Sequence, residues 1–246
     1  MNGIAPGHSQ VYMALIHGAG LGSWVWENLI PYLNYPAIAL DFPGRGAEPS
    51  DLKHLGFEDY AQSVADVVAS LETDNVVLVG HSIGGAVAMR VTNMVPEKIS
   101  SVVLVGGTVP KSGRSNLSVS PFIENAMLRV IFFFSPTVKP PENLIKQLCA
   151  GLDGATADMV LSKYNRESAR LFTDPVQWNP LPDSIPVYYV KDTYLDQDIQ
   201  NQIVRRVKAE KVFKLGHGHL PMLETPEELG GIINLVAGGA LAGAGV

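Results

Sequence analysis

The feature that most constrains the fold is a strand that turns into a helix at a serine. The apolar segment Val76 to Val79 leads into Gly80-His81-Ser82-Ile83-Gly84, and an apolar pattern of helical period continues to Val95. A serine on so sharp a turn needs small residues two positions before it and two after it, because larger side chains would collide with neighbouring backbone. Gly80 and Gly84 meet that need. The pattern predicts a serine hydroxyl presented at the end of a strand.

Ser82 is therefore the candidate nucleophile. The backbone N–H of Ile83 would lie at the helix N-terminus, aimed where negative charge develops on a substrate oxygen. A serine in a Gly-Ser turn also caps helices without any chemistry, and the five-residue pattern alone does not separate the two roles. The strand before it and the helix after it favour the nucleophile.

Length, charge and cysteine content exclude several classes of protein. A chain of 246 residues fits one α/β domain with an insertion. The 18 basic and 24 acidic residues give a net charge of −6 without a basic block, so we expect no nucleic-acid partner. The single cysteine, Cys149, cannot form an internal disulfide, and the N-terminus lacks the pattern of a signal peptide. We expect a cytoplasmic protein.

Two apolar stretches resemble membrane segments. Ala126 to Phe134 and Ile232 to Val246 are both too short to span a bilayer, and Arg129 interrupts the first. We interpret the second as a helix end followed by a frayed tail, and expect no membrane partner.

Apolar runs that predict strands alternate with helical patterns along much of the chain. The strand runs are Val11 to Ile16, Ala37 to Leu40, Val76 to Val79, Ser101 to Val105, Val187 to Val190 and Val212 to Leu215. The helical patterns are Trp26 to Tyr32, Phe57 to Leu71, Ile83 to Val95 and Ile199 to Lys208. This alternation predicts a mostly parallel sheet with helices on both faces and functional residues beyond the carboxyl ends of its strands.

The alternation stops between Gly106 and Ser184. This segment holds helical patterns and prolines but no convincing core strand. We predict a core of residues 1–106 and 185–246 and a cap insertion of residues 107–184. Several apolar cap residues would either roof a pocket over the sheet or only hold the cap helices together. They are Phe122, Met127, Leu128 and Ile131 to Phe134.

The first strand ends in a second turn of small residues. His17-Gly18-Ala19-Gly20 follows it directly, so the N–H of Ala19 is a candidate second donor, beside that of Ile83, for an oxyanion. Leu21 and Trp24 come next and are expected as walls of an apolar pocket. We interpret His17 as structural, because a general base in such a site is expected late in the chain.

Two late histidines compete for the role of general base. His219 precedes the apolar run Leu220 to Leu223, which would fix its position, whereas His217 has glycine on both sides. We favour His219. The His-x-His pair has no companion cluster of histidines, cysteines or carboxylates, so we expect no metal. The other histidines, His8, His54 and His81, are interpreted as surface or packing residues.

The acid that orients the base should follow the strand Val187 to Val190. Asp196 and Asp198 stand just before a helical pattern, where an aspartate is a favoured N-cap. Asp192 has no such explanation and stands where strand gives way to loop. We favour Asp192 and keep Asp196 as the alternative.

With these residues in place, the sequence resembles the α/β-hydrolase superfamily, and within it the compact branch of bacterial carboxylesterases, plant methylesterases and hydroxynitrile lyases. The resemblance covers most of the chain outside the cap and rests on four motifs. They are Leu15-Ile16-His17-Gly18 with Trp24-x-Trp26, Ala39 to Gly46, Gly80 to Gly85, and Gly218 to Leu223. The resemblance implies the α/β-hydrolase fold, with a mostly parallel sheet flanked by helices and a helical cap inserted after the sixth strand of that fold.

The resemblance also bears on individual positions. In this family the acid is commonly followed by glutamine eight residues on, and counting from Asp192 gives Gln200, although Asp196 takes the place of a usual proline. Dehalogenases and epoxide hydrolases of this fold carry aspartate where Ser82 stands, so the resemblance argues against those two activities. The plant-type lyases carry threonine and lysine where this chain has Gly18 and Leu220, so lyase activity would lack its hydroxyl and its positive charge.

Together these residues predict a serine hydrolase of small to medium hydrophobic carboxylic esters. Ser82, Asp192 and His219 would act through an acyl-enzyme, and no cofactor is needed. One alternative is a lactonase, thioesterase or acyltransferase that uses the same residues. Another is a ligand-binding protein of this fold with vestigial activity. We expect a small hydrophobic ester as partner, and a monomer or homodimer.

Overall fold

One parallel sheet organises the molecule. The computed structural model describes residues 10–45, 52–119 and 135–243, the last four as backbone only. Six of the described strands form this sheet, and each pairs in parallel with its neighbours. They are β1 (Tyr12–Ile16), β2 (Ala37–Leu40), β3 (Val76–His81), β4 (Ile99–Val105), β5 (Val187–Lys191) and β6 (Lys211–Lys214). The predicted α/β fold with a mostly parallel sheet is confirmed.

Helices follow most of these strands. The α-helices are α1 (Phe57–Ser70), α2 (Gly84–Met94), α3 (Glu142–Leu148), α4 (Gly154–Lys163), α5 (Arg170–Thr173), α6 (Gln197–Val207), α7 (Pro221–Glu224) and α8 (Pro226–Gly243). Short 3₁₀-helices span Ser23–Trp26, Ile30–Tyr32, Pro96–Lys98 and Asn116–Val119. The helical pattern Trp26 to Tyr32 was wrong as an α-helix, because Pro31 has no N–H to donate to the preceding turn.

The apolar runs are explained by burial on both faces of the sheet. In β1, Met13 and Leu15 face one hydrophobic cluster, while Ala14 and Ile16 face the other. Successive side chains of a strand point to opposite faces, so a strand with helices on both sides must be apolar throughout. α1 and α2 cover the second face, and α8 covers the first with Leu229, Ile233 and Val236.

The strand order, β2-β1-β3-β4-β5-β6, contains a reversal. From β1 the chain runs outward to the edge strand β2 and then returns past β1 to β3. Ile16 pairs with Gly80, and Val105 pairs with both His81 and Val190, so these strands end at nearly the same level. The crevice beyond the carboxyl ends at such a reversal is the usual ligand site of an open α/β sheet.

The insertion lies outside the sheet. Its described parts, residues 107–119 and 135–184, contain α3, α4 and α5 and two ribbons of two residues per strand. One ribbon pairs Arg114–Ser115 with Pro175–Val176, and the other pairs Thr137–Val138 with Glu167–Ser168. The predicted roof residues Phe122, Met127, Leu128 and Ile131 to Phe134 lie outside the described residues.

The glycine- and alanine-rich tail is helical for most of its length. α8 continues through it to Gly243, and residues 244–246 lie outside the described residues. In the parts of the chain that are described, no helix has the length and apolarity needed to cross a membrane.

Candidate active site

Ser82 occupies the sharp turn between β3 and α2. Its φ of +52° is left-handed, a conformation that costs a non-glycine residue about 1–3 kcal/mol. A Cβ on Gly80 would lie 2.5 Å from the carbonyl oxygen of Gly84, and one on Gly84 would lie 2.7 Å from that of His17. No larger residue fits at either position. The two glycines therefore make the turn possible, as the sequence pattern predicted.

Neighbouring backbone holds this strained residue in place. The N–H of Ser82 donates to the carbonyl of Val105 over 3.1 Å, and the carbonyl of Ser82 accepts from Thr108 over 2.8 Å. Ser82 is thus fixed at both of its peptide bonds by the end of β4 and the loop after it, while its side chain stays partly exposed.

Two backbone amides beside Ser82 are free to bind an anion. Ile83 stands at the N-cap of α2, and Ala19 lies in the turn after β1. Among the described residues, neither N–H donates a hydrogen bond to a protein group. That turn passes directly beside the serine, because a Cβ on Gly18 would lie 3.0 Å from Ser82 Cβ. The structure therefore brings both predicted donors to the same crevice.

A buried histidine and aspartate meet beyond β5 and β6. His219 Nδ1 lies 2.7 Å from Asp192 Oδ2, and only 5% and 3% of these side chains are exposed. Since an ionised carboxylate only accepts hydrogen bonds, Nδ1 carries the hydrogen and the lone pair of Nε2 remains available to take a proton. The described part of the chain shows no hydrogen bond between His219 and the Ser82 hydroxyl, a bond that often tightens only when substrate binds.

The second oxygen of Asp192 is held by backbone. Oδ1 accepts from the N–H of Leu195 over 2.8 Å and from that of Tyr194 over 3.1 Å. Burial alone would raise the pKa of Asp192, but the hydrogen bonds from His219 and Leu195 hold that pKa below its ordinary value. Asp192 is therefore ionised at neutral pH, as a partner for a protonated histidine must be.

One protein-family model matches most of the chain. Residues 13–230 match the sequence model of the alpha/beta hydrolase family. The chain belongs to the alpha/beta hydrolase family. This confirms the superfamily predicted from the motifs, and the relatives described next bear out the predicted resemblance to plant methylesterases.

Two curated relatives carry esterase names. Putative methylesterase 14, chloroplastic, from Arabidopsis thaliana is 26% identical over 91% of this chain and 71% of its own length. Polyneuridine aldehyde esterase from Rauvolfia serpentina is 34% identical over 47% of this chain and 46% of its own length. Among solved structures, tomato methylketone synthase I matches with a TM-score of 0.78 and 18% identity, covering 96% of this chain and 100% of that one. This last likeness concerns the fold.

In this α/β-hydrolase, the competing aspartates lie elsewhere. Asp196 is the N-cap of α6, where its side chain accepts from the N–H groups of Asp198 and Ile199 over 2.9 and 3.0 Å. Asp198 occupies the first turn of that helix, and both aspartates are exposed. Of the three aspartates considered from sequence, Asp192 contacts His219.

The competing histidine also has other partners. His217 Nδ1 lies 3.1 Å from Glu224, and its Nε2 lies 3.2 Å from Glu228. The side chain of His217 is 36% exposed, in contrast to the buried ring of His219. The structure therefore separates His217 from Asp192 and places it with glutamates of α7 and α8.

Gln200 has a structural role beside Asp192. Its side-chain oxygen accepts from the N–H of Asp192 over 3.2 Å, and its amide donates to the carbonyls of Asp192 and Leu195 over 3.0 and 2.8 Å. Gln200 is fully buried. The glutamine eight residues after the acid therefore fixes both ends of the loop that carries it.

Sequence reasoning missed the contribution of His81. This buried side chain donates from Nε2 to the carbonyl of His219 over 2.7 Å, so it fixes the backbone of the candidate base. Burial, aided by the nearby His219, lowers the pKa of His81 to about 3. Its position directly before Ser82 was the only sequence signal for this role.

His17 joins the turn after β1 to the loop after β2. Its Nδ1 donates to the carbonyl of Gly18 over 2.7 Å, and its Nε2 accepts from the N–H of Phe42 over 3.2 Å. Burial, aided by the charge of Arg45, lowers the pKa of His17 to about 3. A neutral side chain with both nitrogens engaged agrees with the structural interpretation.

The two expected pocket walls lie near the cap. Leu21 is buried in a hydrophobic cluster with Ile145 and Cys149, which belong to the insertion. Trp24 packs against the same cluster, with the ammonium of Lys163 5.2 Å from the centre of its ring. An apolar surface thus continues from the turn after β1 into the cap.

Proposed function

We propose that this α/β-hydrolase cleaves carboxylic esters of small to medium hydrophobic substrates, with Ser82 as nucleophile, His219 as general base and Asp192 as its acid partner. The observation that carries the proposal is the 2.7 Å hydrogen bond between buried Asp192 and His219, beyond the same strand ends as the turn that presents Ser82. The esterase names of the relatives support the same class of reaction.

In the first half of the reaction, Ser82 Oγ attacks the ester carbonyl carbon while its proton passes to His219 Nε2. The carbonyl oxygen becomes an oxyanion, which accepts hydrogen bonds from the N–H groups of Ala19 and Ile83. One such donor typically contributes about 2.7–4 kcal/mol to transition-state stabilisation. Collapse of the intermediate breaks the ester C–O bond, and the alcohol leaves with the proton from His219.

In the second half, water attacks the acyl-enzyme. His219 accepts a proton from the water, the same two amides hold the second oxyanion, and Ser82 recovers its proton as the acid leaves. Asp192 stays ionised throughout and stabilises the histidine when that is charged. Every group required comes from the protein or from water.

The surroundings of the site favour an apolar substrate. Leu21 and Trp24 follow the turn that carries Ala19, and the cluster they join contains apolar cap residues. Such a surface binds hydrocarbon and disfavours a charged or sugar substrate. We further propose a small ester as partner, a cytoplasmic location and a monomeric or dimeric state. The relative methylesterase 14 is itself named as chloroplastic.

Hydrolysis of p-nitrophenyl esters of increasing acyl length tests this function. Ser82→Ala should lower kcat/KM by about four to six orders of magnitude, because the nucleophile is lost. Ser162→Ala is the matched control, since the exposed Ser162 only donates to a carbonyl of its own helix. A fluorophosphonate probe should label the wild type, and mass spectrometry should locate the label on Ser82.

The same experiment separates the rival functions. Lactones and acyl thioesters assayed beside the esters reveal whether the same residues prefer another acyl donor. Equal inactivity of the wild type and Ser82→Ala on all these substrates, together with no labelling, would refute the hydrolase and leave a ligand-binding protein of this fold.

A further inference from the structure

A buried ion pair joins the cap to the sheet side of the site. Arg45, in the loop after β2, lies against both carboxylate oxygens of Glu167, which belongs to a cap ribbon. The side chains are 10% and 2% exposed. The sequence motifs predicted no chemical role for either residue.

The same two side chains also bind the backbone that follows Ala19. Glu167 Oε1 accepts from the N–H of Gly20 over 2.7 Å, and Arg45 Nε donates to the carbonyl of Leu21 over 2.7 Å. In a third contact, the N–H of Asn165 in the cap donates to the carbonyl of Gly20 over 2.7 Å. Each of the three peptide units that follow Ala19 is thus held by a group outside the turn.

The hydroxyl of Tyr60 completes the surroundings of this pair. It donates to Glu167 Oε2 over 3.1 Å and accepts from the N–H of Ser168. Burying two charges is unfavourable unless their hydrogen bonds are well satisfied, and even then apolar residues often stabilise a fold as well. Stability alone is therefore a weak reason for this pair, whereas fixing the direction of a backbone amide requires directional groups.

We propose that Arg45 and Glu167 are positioning residues for the oxyanion site. Among the described contacts neither binds Ser82, Asp192 or His219, and both act by holding the turn that aims the Ala19 N–H. The cap then takes part in assembling the oxyanion site, because Glu167 belongs to a cap ribbon. This inference rests on the proposed function, in which Ala19 donates to the oxyanion.

A second ion pair provides a matched control. Arg170 and Asp174 lie 3.0 Å apart in the cap and also reach the core. Arg170 donates to the carbonyl of His54 over 3.1 Å, and Asp174 accepts from the N–H of Phe57 over 3.3 Å. None of these contacts involves the turn after β1. Arg170→Ala therefore loosens the cap without disturbing the proposed oxyanion donor.

The experiment compares Glu167→Ala, Glu167→Gln, Arg45→Lys and Arg170→Ala by kcat and KM on one p-nitrophenyl ester, below the melting transition of each variant. It adds the Ki of an alkyl trifluoromethyl ketone, whose adduct with Ser82 carries an oxyanion. Glu167→Ala should lower kcat about 30- to 100-fold with KM within about threefold, since small displacements of a catalytic group cost that much. Its Ki should rise by the factor by which kcat/KM falls.

The conservative variants distinguish a positioning role from a purely structural one. Glu167→Gln keeps an acceptor for the Gly20 N–H and should recover kcat to within about fivefold of the wild type. Arg45→Lys cannot reach both Glu167 and the Leu21 carbonyl and should lower kcat at least about tenfold. Arg170→Ala should lower the melting temperature and leave kcat and Ki unchanged.

Three results would overturn the inference. If Glu167→Ala has the same kcat and Ki as Arg170→Ala, the pair only fastens the cap. Should Glu167→Ala not fold, Arg45→Lys takes its place in this comparison. If Ki stays constant while kcat falls, the loss does not arise at the oxyanion. If Ser82→Ala hydrolyses esters like the wild type, the proposed function is wrong and this inference is wrong with it. If Ser82→Ala is inactive, the first two results refute only the role of Arg45 and Glu167.

Discussion

The sheet side of the site is built from backbone in close contact, whereas the cap side reaches it through side chains. Beyond β1, β3 and β4, the turns pack so tightly that a Cβ on Gly18, Gly80 or Gly84 would lie within about 3 Å of a neighbouring residue. The described cap contributes two ribbons, short helices and a few polar contacts such as those of Glu167. The proposed reacting groups thus stand on the tightly packed part of the molecule, and the proposed substrate surface is shared with the cap.

This difference indicates which changes each side tolerates. On the sheet side even one added methyl group must displace backbone or a side chain of the site, so substitutions there should affect the rate of the chemical step. On the cap side, exposed side chains can change without moving the reacting groups, so substitutions should affect substrate affinity. Sites held on rigid elements with adaptable loops around them commonly divide in this way.

Apart from the loss of Ser82, a change of the acid on the sheet side should cost the most activity. Asp192→Asn should lower kcat by about three to four orders of magnitude, because the amide no longer orients and stabilises a charged His219. Asp196→Asn is the matched control and should keep full activity, since asparagine also caps helices. A larger loss of kcat in Asp196→Asn than in Asp192→Asn would move the acid to Asp196.

Acid should weaken the sheet side selectively. The pKa of His17 and of His81 falls from 6.5 to about 3 on folding, so below pH 6.5 the unfolded chain binds protons that the folded chain does not. Stability is therefore lost as the pH falls from 6.5 towards 3, by about 2 kcal/mol per histidine at pH 5. Urea unfolding at pH 7 and pH 5 measures this loss.

A variant assigns that loss to its source. His81→Gln keeps a donor for the His219 carbonyl but has no titratable group, so it should remove about half of the pH dependence. No histidine stands between residues 107 and 184, so the cap has none to contribute. An unchanged free energy of unfolding between pH 7 and pH 5 would contradict the proposed origin.

A single methyl group on the sheet side should also be costly. Gly106 has a φ of +50°, and a Cβ there would lie 2.2 Å from Asp192 Oδ2 and 3.4 Å from His219 Nδ1. Gly106→Ala should lower kcat about 100-fold by displacing the carboxylate. Gly154→Ala, in an open position of the cap, is the control and should keep full activity. Equal kcat values for the two variants would show that the sheet side adapts.

Substitutions on the cap side should change the kinetic constants least. Lys163→Met removes a cation from the face of Trp24 and should raise KM about two- to fivefold at unchanged kcat, the range expected for an exposed cation–π contact. Lys146→Met is matched to it, because Lys146 pairs with exposed Glu142 on a cap helix. A fall in kcat for Lys163→Met would place this contact among the groups that govern the chemical step.

Some features of the site could be predicted from the sequence. The elbow was predictable because local backbone dictates both Gly80 and Gly84, and the six strands because burial on two faces demands continuous apolar runs. The choice of Asp192 rested on finding no capping role for it, and the geometry agrees with the family spacing to Gln200.

Other parts carried no local signal. His81, Arg45 and Glu167 each have a partner 122 to 147 residues away in the chain, and no periodicity reports such contacts. Their sequence neighbourhoods indicate only a turn, a loop and a cap strand. The 3₁₀ turns around Pro31 were missed because the apolar spacing there resembles that of an α-helix.

The separation in sequence between Ser82 and His219 has a consequence during synthesis. Ser82 leaves the ribosome 137 residues before His219 does, an interval on the order of ten seconds at usual rates of translation. During that interval the nascent chain contains the proposed nucleophile without its proposed base. On the proposed mechanism, hydrolysis begins only when the last strand and the histidine after it join the sheet, which makes product formation a stringent reporter of completed folding.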